Sequence, residues 1–319
     1  MLNKFTMKKP IFSIVIPNWN GKEFLRICLD SLFKQSFKNY EIILVDNGSS
    51  DDSVSFTKNH YPEVKIVVLK KNMGFAVAAN TGIKEAKGGL VALLNNDTEV
   101  DKDWLREIFN ASEKDNHASF FASKLLDFKN RKIIDSCGDG LSWSGRAFSI
   151  GKGKKDSPGF EDVKYVFGAT AGAAVYKKEM LEKVGLFDED FFMYLEDVDL
   201  DFRAQLMGFK CLFVPKAKVY HIGSATAGKN SAFVFKYITR NRWYLMKKNF
   251  PWQKVVTYYP LIIISELRFF IAAVRHGFLG EYFWAFQQVI RNRAILVRKK
   301  SGLMAARAVS FKQLDEVMK

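Results

Sequence analysis

The chain has 319 residues, of which 48% are hydrophobic, and this is enough for one large α/β domain with an appended region. Its formal net charge of +15 is unevenly distributed, because residues 226–319 carry 17 Lys and Arg against 4 Asp and Glu, whereas residues 1–225 carry 32 against 30. The three cysteines form no C-x-x-C pair, which excludes a zinc ribbon and a disulfide framework. Residues 1–10 lack the apolar segment of a signal peptide, so we expect a cytoplasmic protein.

Four short apolar runs predict buried strands, each followed by a helical segment: residues 12–16, 40–45, 64–69 and 90–94. The first run should end at Pro17, which cannot donate to a β-ladder. The alternation predicts a mainly parallel, right-handed α/β sheet. Small residues such as Gly74 and Gly82 would let the third helix approach the sheet or a ligand closely, although they match neither G-x-G-x-x-G nor a P-loop.

Polar side chains stand at the points where these strands end. Asn18 and Asn20 follow the first strand, Asp46 follows the second, and Asn96 and Asp97 follow the fourth. Open α/β sheets bind ligands at the carboxyl ends of their strands, so we expect these side chains to lie together. A carboxylate there can hold a divalent cation, which would neutralise a diphosphate.

Helix capping is the alternative explanation for such polar turns. For residues 49–52 we expect it, as an Asx-type turn before a helix from Ser53. For residues 95–99, which precede a predicted helix near Trp104, both explanations are open.

The next part of the chain has weaker periodicity. Residues 119–165 accumulate Gly, Ser and Lys, which indicates short strands and a mobile basic loop. Residues 166–175 are small and predict a strand against which something bulky lies. A helix over residues 177–184 and strands over residues 211–214 and 218–220 complete this part.

Four acidic residues begin a helix that ends near Gly208: Glu196, Asp197, Asp199 and Asp201. The helix dipole favours carboxylates in a first turn, so part of this cluster has a purely structural explanation. Asp199 and Arg203 are four residues apart, which predicts an ion pair on the helix surface. Glu196 and Asp197 come earlier, where their side chains can face a pocket. His221 follows the last strand and is either a structural residue or a metal ligand.

Six motifs in this order resemble those of family 2 inverting glycosyltransferases with the GT-A fold, close to the rhamnosyltransferase-like members that build bacterial surface polysaccharides. We therefore expect a GT-A domain over residues 1–225 and a basic, amphipathic helical region over residues 226–319. The resemblance rests on Ile14-Val15-Ile16-Pro17-Asn18-Trp19-Asn20, Leu44-Val45-Asp46-Asn47-Gly48-Ser49, Asn72-x-Gly74-Phe75-x-x-x-x-Asn80-x-Gly82, Leu93-Leu94-Asn95-Asn96-Asp97, Tyr194-x-Glu196-Asp197-x-Asp199 and His221-x-Gly223.

The resemblance implies a donor site for a nucleotide sugar and one divalent cation, Mg²⁺ or Mn²⁺. Asp46 would contact the nucleotide base, and Asp97 and His221 would bind the metal. Asn95 stands where the family's D-x-D turn has its first carboxylate, which gives the cation one fewer anionic ligand. The donor-binding residues implied are Pro17, Asn18, Asn20, Asp46, Asn72, Gly74, Asn80, Asn96 and Asp97.

The same resemblance implies the reaction. Asp197 would be the general base that takes the proton of an acceptor hydroxyl, with Glu196 supporting it, and the sugar would be transferred with inversion. The donor would be dTDP-rhamnose or a UDP-sugar. The acceptor would be a lipid-linked or polysaccharide hydroxyl in bacterial cell-surface synthesis.

The C-terminal region interleaves basic with aromatic residues, and its apolar run over residues 255–265 is too short to span a bilayer. We expect its helices to lie on an anionic membrane surface, at the inner face of the cell membrane. The alternative is that they pack on the catalytic domain or on a second subunit of a homo-oligomer.

Three other functions are less consistent with the sequence. The basic and aromatic tail suits nucleic acid, but the strand-end carboxylates would repel phosphates, so we expect no nucleic-acid partner. A nucleotidyltransferase would need a glycine-rich basic loop after the first strand, where residues 18–21 are few and neutral. A non-catalytic sugar-nucleotide sensor is disfavoured because Asp97 and Asp197 are both present.

Overall fold

The computed structural model describes residues 9–223 and 231–318. The predictions about residues 1–8, Ser224 and the domain boundary after residue 225 lie outside this part of the chain. The strands are β1 (Phe12–Asn18), β2 (Tyr40–Asp46), β3 (Lys65–Val68), β4 (Leu90–Leu94), β5 (Thr98–Val100), β6 (Ala118–Asp127), β7 (Ile134–Ser136), β8 (Asp139–Leu141), β9 (Ala147–Ser149), β10 (Lys164–Val166), β11 (Ala173–Lys177) and β12 (Lys210–His221). The helices are α1 (Lys22–Phe33), α2 (Ser53–His60), α3 (Phe75–Glu85), α4 (Trp104–Lys114), α5 (Lys178–Val184), α6 (Glu196–Leu206), α7 (Ala232–Asn249), α8 (Trp252–Thr257), α9 (Tyr259–His276), α10 (Leu279–Arg291), α11 (Arg293–Ala305) and α12 (Phe311–Asp315).

One large sheet dominates the described structure, with strand order β10-β12-β6-β11-β4-β1-β2-β3. β1 pairs in parallel with both β2 and β4, and β2 pairs in parallel with β3. β11 runs antiparallel between β4 and β6, whereas β6 and β12 are parallel. The predicted α/β class is confirmed, and the antiparallel strand β11 separates two parallel blocks.

Strand β1 shows how the sheet divides two cores. Phe12, Ile14 and Ile16 face a core that α1 and α4 cover, whereas Val15 faces a core that α3, α5 and α6 cover. Side chains alternate between the two faces of a strand, and this run is apolar except for Ser13 because both faces are buried. A Cβ on Gly82 of α3 would collide with Val15, so the predicted close approach of this helix to the sheet is confirmed.

Two strands are longer than predicted. β1 continues through Pro17 to Asn18, and it tolerates the proline because its pairing with β4 ends at Val15. β12 joins the two predicted runs, residues 211–214 and 218–220, across an irregularity in its pairing with β6.

The region over residues 119–165 is more regular than predicted. Its first part is β6, a ten-residue and almost entirely buried strand inside the sheet. Ser123 and Lys124 interrupt the apolar pattern of this strand in the sequence, but each bonds a side chain far away in the sequence. Ser123 Oγ accepts from Trp104 Nε1–H (2.9 Å), and Lys124 pairs with Asp156 (2.7 Å).

Residues 166–175 do not form the single strand that was predicted. β10 ends at the start of this segment and β11 begins at Ala173, so residues 167–172 form a loop. A Cβ on Gly168 would collide with the carboxylate of Asp201, which shows how closely α6 approaches. In this loop the N–H groups of Ala169 and Ala171 donate to carboxylates of α6, whereas Gly168 N–H donates to Asp139 C=O of β8.

The C-terminal helices share a third core with the sheet domain. Phe191, Val198 and Phe202 pack there with Tyr244 and Phe250 of the α7 region. The predicted alternative of packing on the catalytic domain therefore holds for α7, whereas α9 leaves many apolar side chains exposed. Within the described residues, no helix combines the length and the apolar character needed to cross a membrane.

Asp199 is fully buried between α6 and α7. Its Oδ2 accepts from Arg203 Nε (2.9 Å) and Lys248 Nζ (2.8 Å), and its Oδ1 accepts from Asn249 Nδ2 (2.9 Å). The predicted pair with Arg203 is present, but its predicted surface location was wrong. The reason is that Lys248 and Asn249, 49 and 50 residues later in the chain, cover the carboxylate.

We expect Asp199→Ala to lower the free energy of unfolding in urea by about 3–5 kcal/mol, because it leaves buried cations without their carboxylate. The control is Asp52→Ala, which removes the exposed pair between Asp52 and Lys22 and should cost less than about 1 kcal/mol. Equal effects of the two substitutions would contradict a structural role for Asp199.

Candidate active site

The carboxyl ends of β1, β2 and β4 bring three predicted donor-binding residues into contact. Asn18 Nδ2 donates to Asp46 Oδ1 (3.2 Å), and Asn96 Nδ2 donates to Asn18 Oδ1 (2.7 Å). Asp46 Oδ2 accepts from Ser49 N–H (3.0 Å), so this buried carboxylate is paired on both oxygens. The side chains therefore lie together, as their positions at strand ends predicted.

A cleft of about 550 Å³ opens beside Asp46 and is lined also by Ser49 and Lys70. Asn20 N–H donates to Ser49 Oγ (2.9 Å), which fixes the loop after β1 against the loop after β2. Pro17 is half-buried in β1 just before this loop. A cleft of this volume is large enough for a nucleoside.

The two turns with alternative explanations differ. Asp51 Oδ1 accepts from Ser53 N–H (3.1 Å), so the predicted Asx-type turn before α2 is confirmed. The turn at residues 95–99 does not cap α4, because its last two residues already belong to β5, which separates it from that helix.

Asn72 and Gly74 lie in the segment between β3 and α3, and Asn47 holds them. Asn47 Nδ2 donates to Asn72 Oδ1 (3.0 Å) and to Gly74 C=O (3.1 Å), and Asn72 Oδ1 also accepts from Gly74 N–H (2.9 Å). Gly74 has a φ of 90°, and a Cβ there would lie 2.5 Å from Phe192. This segment therefore supports the loop that precedes α6.

Asn80 is buried within α3, and its amide is used by the chain itself. Nδ2 donates to Phe187 C=O (2.9 Å) and to Glu189 Oε1 (3.0 Å), and Oδ1 accepts from Phe187 N–H (3.0 Å). Any effect of Asn80 on a donor would therefore act through the loop that it holds.

Asp97 and His221, the two predicted metal ligands, face each other. His221 Nε2 lies 3.4 Å from Asp97 Oδ1, and His221 Nδ1 lies 2.8 Å from Asp135 Oδ2. The backbone connects them too, because Ile222 N–H donates to Asp97 C=O (3.0 Å). Burial alone lowers the pKa of His221, but its bonds to the two carboxylates outweigh burial and raise it to about 9.

The donor set fits a divalent cation. An oxygen and a nitrogen 3.4 Å apart match neighbouring ligands at bonds of about 2.0–2.2 Å, and Asp135 on the other ring nitrogen would orient the imidazole. The described residues contain no group of three or more His, Cys, Asp or Glu side chains placed to hold a metal. Further ligands would therefore come from the phosphates of a donor and from water.

Glu196 and Asp197 begin α6 directly after a strained loop, in which Leu195 has a φ of 64°. Asp197 Oδ2 accepts from Ala171 N–H (3.1 Å) and Oδ1 accepts from Val198 N–H (2.8 Å). Glu196 is buried, and its Oε2 has no partner in the described structure. Burial raises the pKa of both acids, well above the usual value for Glu196, whereas the N–H donors oppose the rise for Asp197.

Two further buried acids lie beside this pair: Asp139, which the sequence analysis did not single out, and Asp201, to which it gave no separate role. Burial and the charge of Asp197 raise the pKa of Asp139 to about 8, and Thr170 Oγ1–H donates to Asp139 Oδ1 (2.7 Å). Asp201 Oδ2 accepts from Ala169 N–H (3.1 Å), and burial raises its pKa well above the usual value. The sequence held a signal for each, because Asp139 stands between two glycines and Asp201 is one helical turn from Asp197.

The loop before α6 is held by α7, which the sequence did not predict. Asn241 Nδ2 donates to the C=O groups of Phe191 (2.9 Å), Met193 (2.8 Å) and Tyr194 (2.7 Å). Arg240 Nη2 donates to Phe191 C=O (2.7 Å) as well. The C-terminal region thus positions the predicted catalytic pair.

Comparison with known proteins identifies a family and a number of relatives. The model of the family "Glycosyl transferase family 2" matches residues 13–185. The amylovoran biosynthesis glycosyltransferase AmsB of Erwinia amylovora is 27% identical over 241 residues, which are 72% of this chain and 76% of AmsB. The putative glycosyltransferase EpsH of Bacillus subtilis is 25% identical over 67% of this chain and 61% of EpsH. The O-antigen biosynthesis protein RfbC of Myxococcus xanthus is 26% identical over 68% of this chain, which spans only 18% of RfbC.

Solved structures show the same fold. The mannosyltransferase PcManGT from Pyrobaculum calidifontis, in complex with GDP-Man and Mn²⁺, superposes with a TM-score of 0.56 at 15% identity, over 97% of this chain and 88% of PcManGT. GalNAc-T7 with UDP, GalNAc and Mn²⁺ gives a TM-score of 0.60 at 19% identity, over 90% of this chain and 57% of that one. The predicted GT-A fold is confirmed.

We expect Asp139→Asn to stabilise the protein more at pH 8 than at pH 5. The folded state holds the proton of Asp139 up to about pH 8, whereas the unfolded chain releases it near pH 4, so stability falls as the pH rises between these values. Asparagine keeps the bond from Thr170 and removes this loss, so the gain at pH 8 should be on the order of 1 kcal/mol or more. The measurement is urea unfolding at both pH values, and a gain that is independent of pH would contradict the raised pKa.

Proposed function

Since the chain belongs to glycosyl transferase family 2, we propose that it transfers one sugar from a nucleotide-diphosphate sugar to an acceptor hydroxyl with inversion. The donor is dTDP-rhamnose or a UDP-sugar, and the acceptor is a lipid-linked or polysaccharide hydroxyl of the bacterial cell surface. The names of AmsB and RfbC, which refer to amylovoran and O-antigen biosynthesis, support such an acceptor.

One observation carries the proposal, namely that the end of β4 adjoins both predicted catalytic groups. Asn95 N–H donates to Gly172 C=O (3.0 Å), and the N–H of the preceding loop residue, Ala171, donates to Asp197. Asp97 follows Asn95 by two residues and faces His221. A metal-binding pair and a carboxylate base therefore flank the same strand end.

The donor is bound along the carboxyl edge of the sheet. The base and ribose enter the cleft beside Asp46, which Ser49 and Lys70 also line. The loop of Asn20 adjoins this cleft through its hydrogen bond to Ser49. The diphosphate then lies toward Asp97. Asp97 and His221 would hold Mg²⁺ or Mn²⁺, which would stabilise the charge that grows on the leaving diphosphate. The Mn²⁺ in PcManGT and GalNAc-T7 supports a divalent cation.

The acceptor hydroxyl loses its proton to Asp197. This carboxylate keeps its position through the N–H groups of Ala171 and Val198, and its raised pKa makes it a stronger base than an exposed aspartate. Glu196, its buried neighbour in the chain, has a supporting role. A hydroxyl that attacks from the face opposite the diphosphate inverts the anomeric carbon in one displacement, so no covalent enzyme intermediate is needed.

We further propose that the C-terminal region, from residue 226, attaches the enzyme to the inner face of the cell membrane. The support is a row of exposed apolar side chains on α9 at helical spacing, beside the exposed basic residues Arg268 and Arg275. The row consists of Leu261, Ile264, Leu267, Ile271 and Val274.

The test of the function is a panel of nucleotide sugars, with nucleoside diphosphate release measured in the presence of Mn²⁺ or Mg²⁺. We expect release from at least one dTDP- or UDP-sugar and its loss in EDTA. Asp97→Ala should weaken donor binding in the presence of metal to the level that the wild type shows in EDTA. Donor affinity that depends neither on Asp97 nor on metal would overturn this assignment.

Asp197→Asn should lower turnover by a factor on the order of 10² or more with donor affinity nearly intact, because the amide cannot accept the proton. The measurement is steady-state transfer together with donor binding by calorimetry. The control is Glu189→Gln, which makes the same acid-to-amide change at a residue outside the Glu196–Asp197 pair. Glu189 accepts a hydrogen bond from Asn80, and glutamine has nearly the same size. Near-normal turnover of Asp197→Asn would move the role of base to another acid of the cluster.

Vesicle sedimentation tests the membrane proposal. The chain should pellet with vesicles that contain phosphatidylglycerol, and less so at high salt or with neutral vesicles. Leu267→Asp with Ile271→Asp should abolish this binding, whereas Val163→Asp, an equally exposed site on the sheet domain, should not. Binding that is unchanged in the double variant would contradict the proposal.

A further inference from the structure

A groove of about 800 Å³ runs between the β8–β9 hairpin region and α9. Six of its lining residues define its chemistry: Arg146, Phe148, Lys152, Leu261, Ile264 and Arg268. Four serines complete the polar part. The lining within the described chain thus combines three cations and an apolar wall with no carboxylate.

Two of the three cations are available for an external anion. Lys152 Nζ is paired with Asp135 Oδ1 (3.0 Å). Arg146 and Arg268 are exposed, and neither has a carboxylate within ion-pair distance among residues 9–223 and 231–318. Guanidinium groups bind phosphate through paired hydrogen bonds, so two of them across a groove suit a phosphate or a diphosphate.

The walls of the groove are fixed before any ligand arrives. Trp143, in the turn of the hairpin, stacks on Tyr258 just before α9 with ring centres 6.2 Å apart, and its Nε1–H donates to Asp315 (2.7 Å). Gly145 packs on Met246 of α7 so closely that a Cβ would collide with it. The hairpin is therefore anchored to the C-terminal helices at its tip.

Two lining residues at one end of the groove contact neighbours of the candidate active site. Ser149, which lines the groove, is the cross-strand partner of Asp139, and the charge of Asp197 helps to raise the pKa of Asp139. Lys152 pairs with Asp135, which binds His221. A ligand in the groove would thus have its inner end close to the proposed base and metal ligands.

The other end opens on the exposed apolar row of α9. Leu261 and Ile264 belong to both the groove and this row, which continues to Val274. The row is roughly 20 Å long at 1.5 Å per residue. A polyanion such as nucleic acid gains nothing from such a surface, whereas an apolar chain would be removed from water along it.

We propose that this groove binds the anionic head of a lipid-linked acceptor. The phosphate or diphosphate lies between Arg146 and Arg268, the lipid chain follows the apolar row of α9, and the sugar that is to be extended points toward Asp197. This inference rests on the proposed function and adds to it the chemical class of the acceptor.

The test uses farnesyl diphosphate, which has an anionic head and an apolar chain but no sugar, with binding measured by calorimetry. EDTA is included so that metal-dependent binding of the diphosphate at Asp97 does not contribute. We expect Arg146→Ala with Arg268→Ala, and separately Ile264→Asp, to weaken binding at least about tenfold. Arg298→Ala is the matched control, because it removes an exposed arginine of α11 outside the groove, and it should bind like the wild type.

Two partial ligands complete the test, inorganic diphosphate for the head and dodecyl maltoside for the chain, and each should bind at least tenfold more weakly than farnesyl diphosphate. The inference is wrong if farnesyl diphosphate does not bind, if the groove variants bind like the wild type, or if inorganic diphosphate binds equally well. Melting temperatures close to that of the wild type show that the variants, all at exposed positions, are folded.

Two measurements on the wild-type protein, farnesyl diphosphate binding and nucleotide-sugar cleavage, test this inference and the proposed function separately. If farnesyl diphosphate binds as expected but no nucleotide sugar is bound or cleaved, the groove stands and the proposed function fails. If nucleoside diphosphate is released but farnesyl diphosphate is ignored, the proposed function stands and the groove is not an acceptor site.

Discussion

Asp199 is a carboxylate with no solvent exposure, and the need to neutralise it joins the two parts of the molecule. A buried charge without a partner costs several kcal/mol, and most of the partners of Asp199 come from α7. Lys248 neutralises both Asp199 and Asp188, and Lys299 of α11 binds Asp188 as well, so the pKa of Asp188 lies below its usual value despite burial. Helix α6 therefore depends on the C-terminal helices, which are part of the fold and not an independent tail.

The same interface controls the loop that carries the predicted catalytic pair. Phe192, Tyr194 and Leu195 all have positive φ values, between 64° and 67°. Such conformations cost on the order of 1–3 kcal/mol each in residues other than glycine, so the surroundings must impose them. Asn241 does this with three hydrogen bonds to the loop carbonyls, and Gly74 leaves room for Phe192 on the opposite side. The orientation of Asp197 thus depends on Asn241, more than forty positions later in the chain, and on Gly74, more than a hundred positions earlier.

A structural feature could be predicted from the sequence when the residues that determine it are close together in the chain. The strand ends at Asn18, Asp46 and Asp97 were predictable because a continuous apolar run followed by a polar turn is a local pattern. Strand β6 was not, because Ser123 and Lys124 interrupt its apolar pattern and their partners are distant in sequence. The burial of Asp199 was missed for the same reason. The loop at residues 167–172 was wrongly predicted to be a strand. Its small residues allow close packing of a neighbouring strand, but they equally allow the close approach of a carboxylate, which is what occurs at Gly168.

The acid cluster shows how the fold can give neighbouring carboxylates different roles. Glu196 and Asp201 each keep one buried oxygen without a partner in the described structure, and Asp139 receives its bond from a hydroxyl group. Asp197 alone among these four acids receives backbone N–H bonds on both oxygens. N–H groups can only donate, so they stabilise the charged form, whereas burial and mutual repulsion favour the protonated form of the others. Neighbouring acids can take different roles when their environments separate their pKa values. Here the environments favour Asp197 as the ionised acid, which can accept a proton.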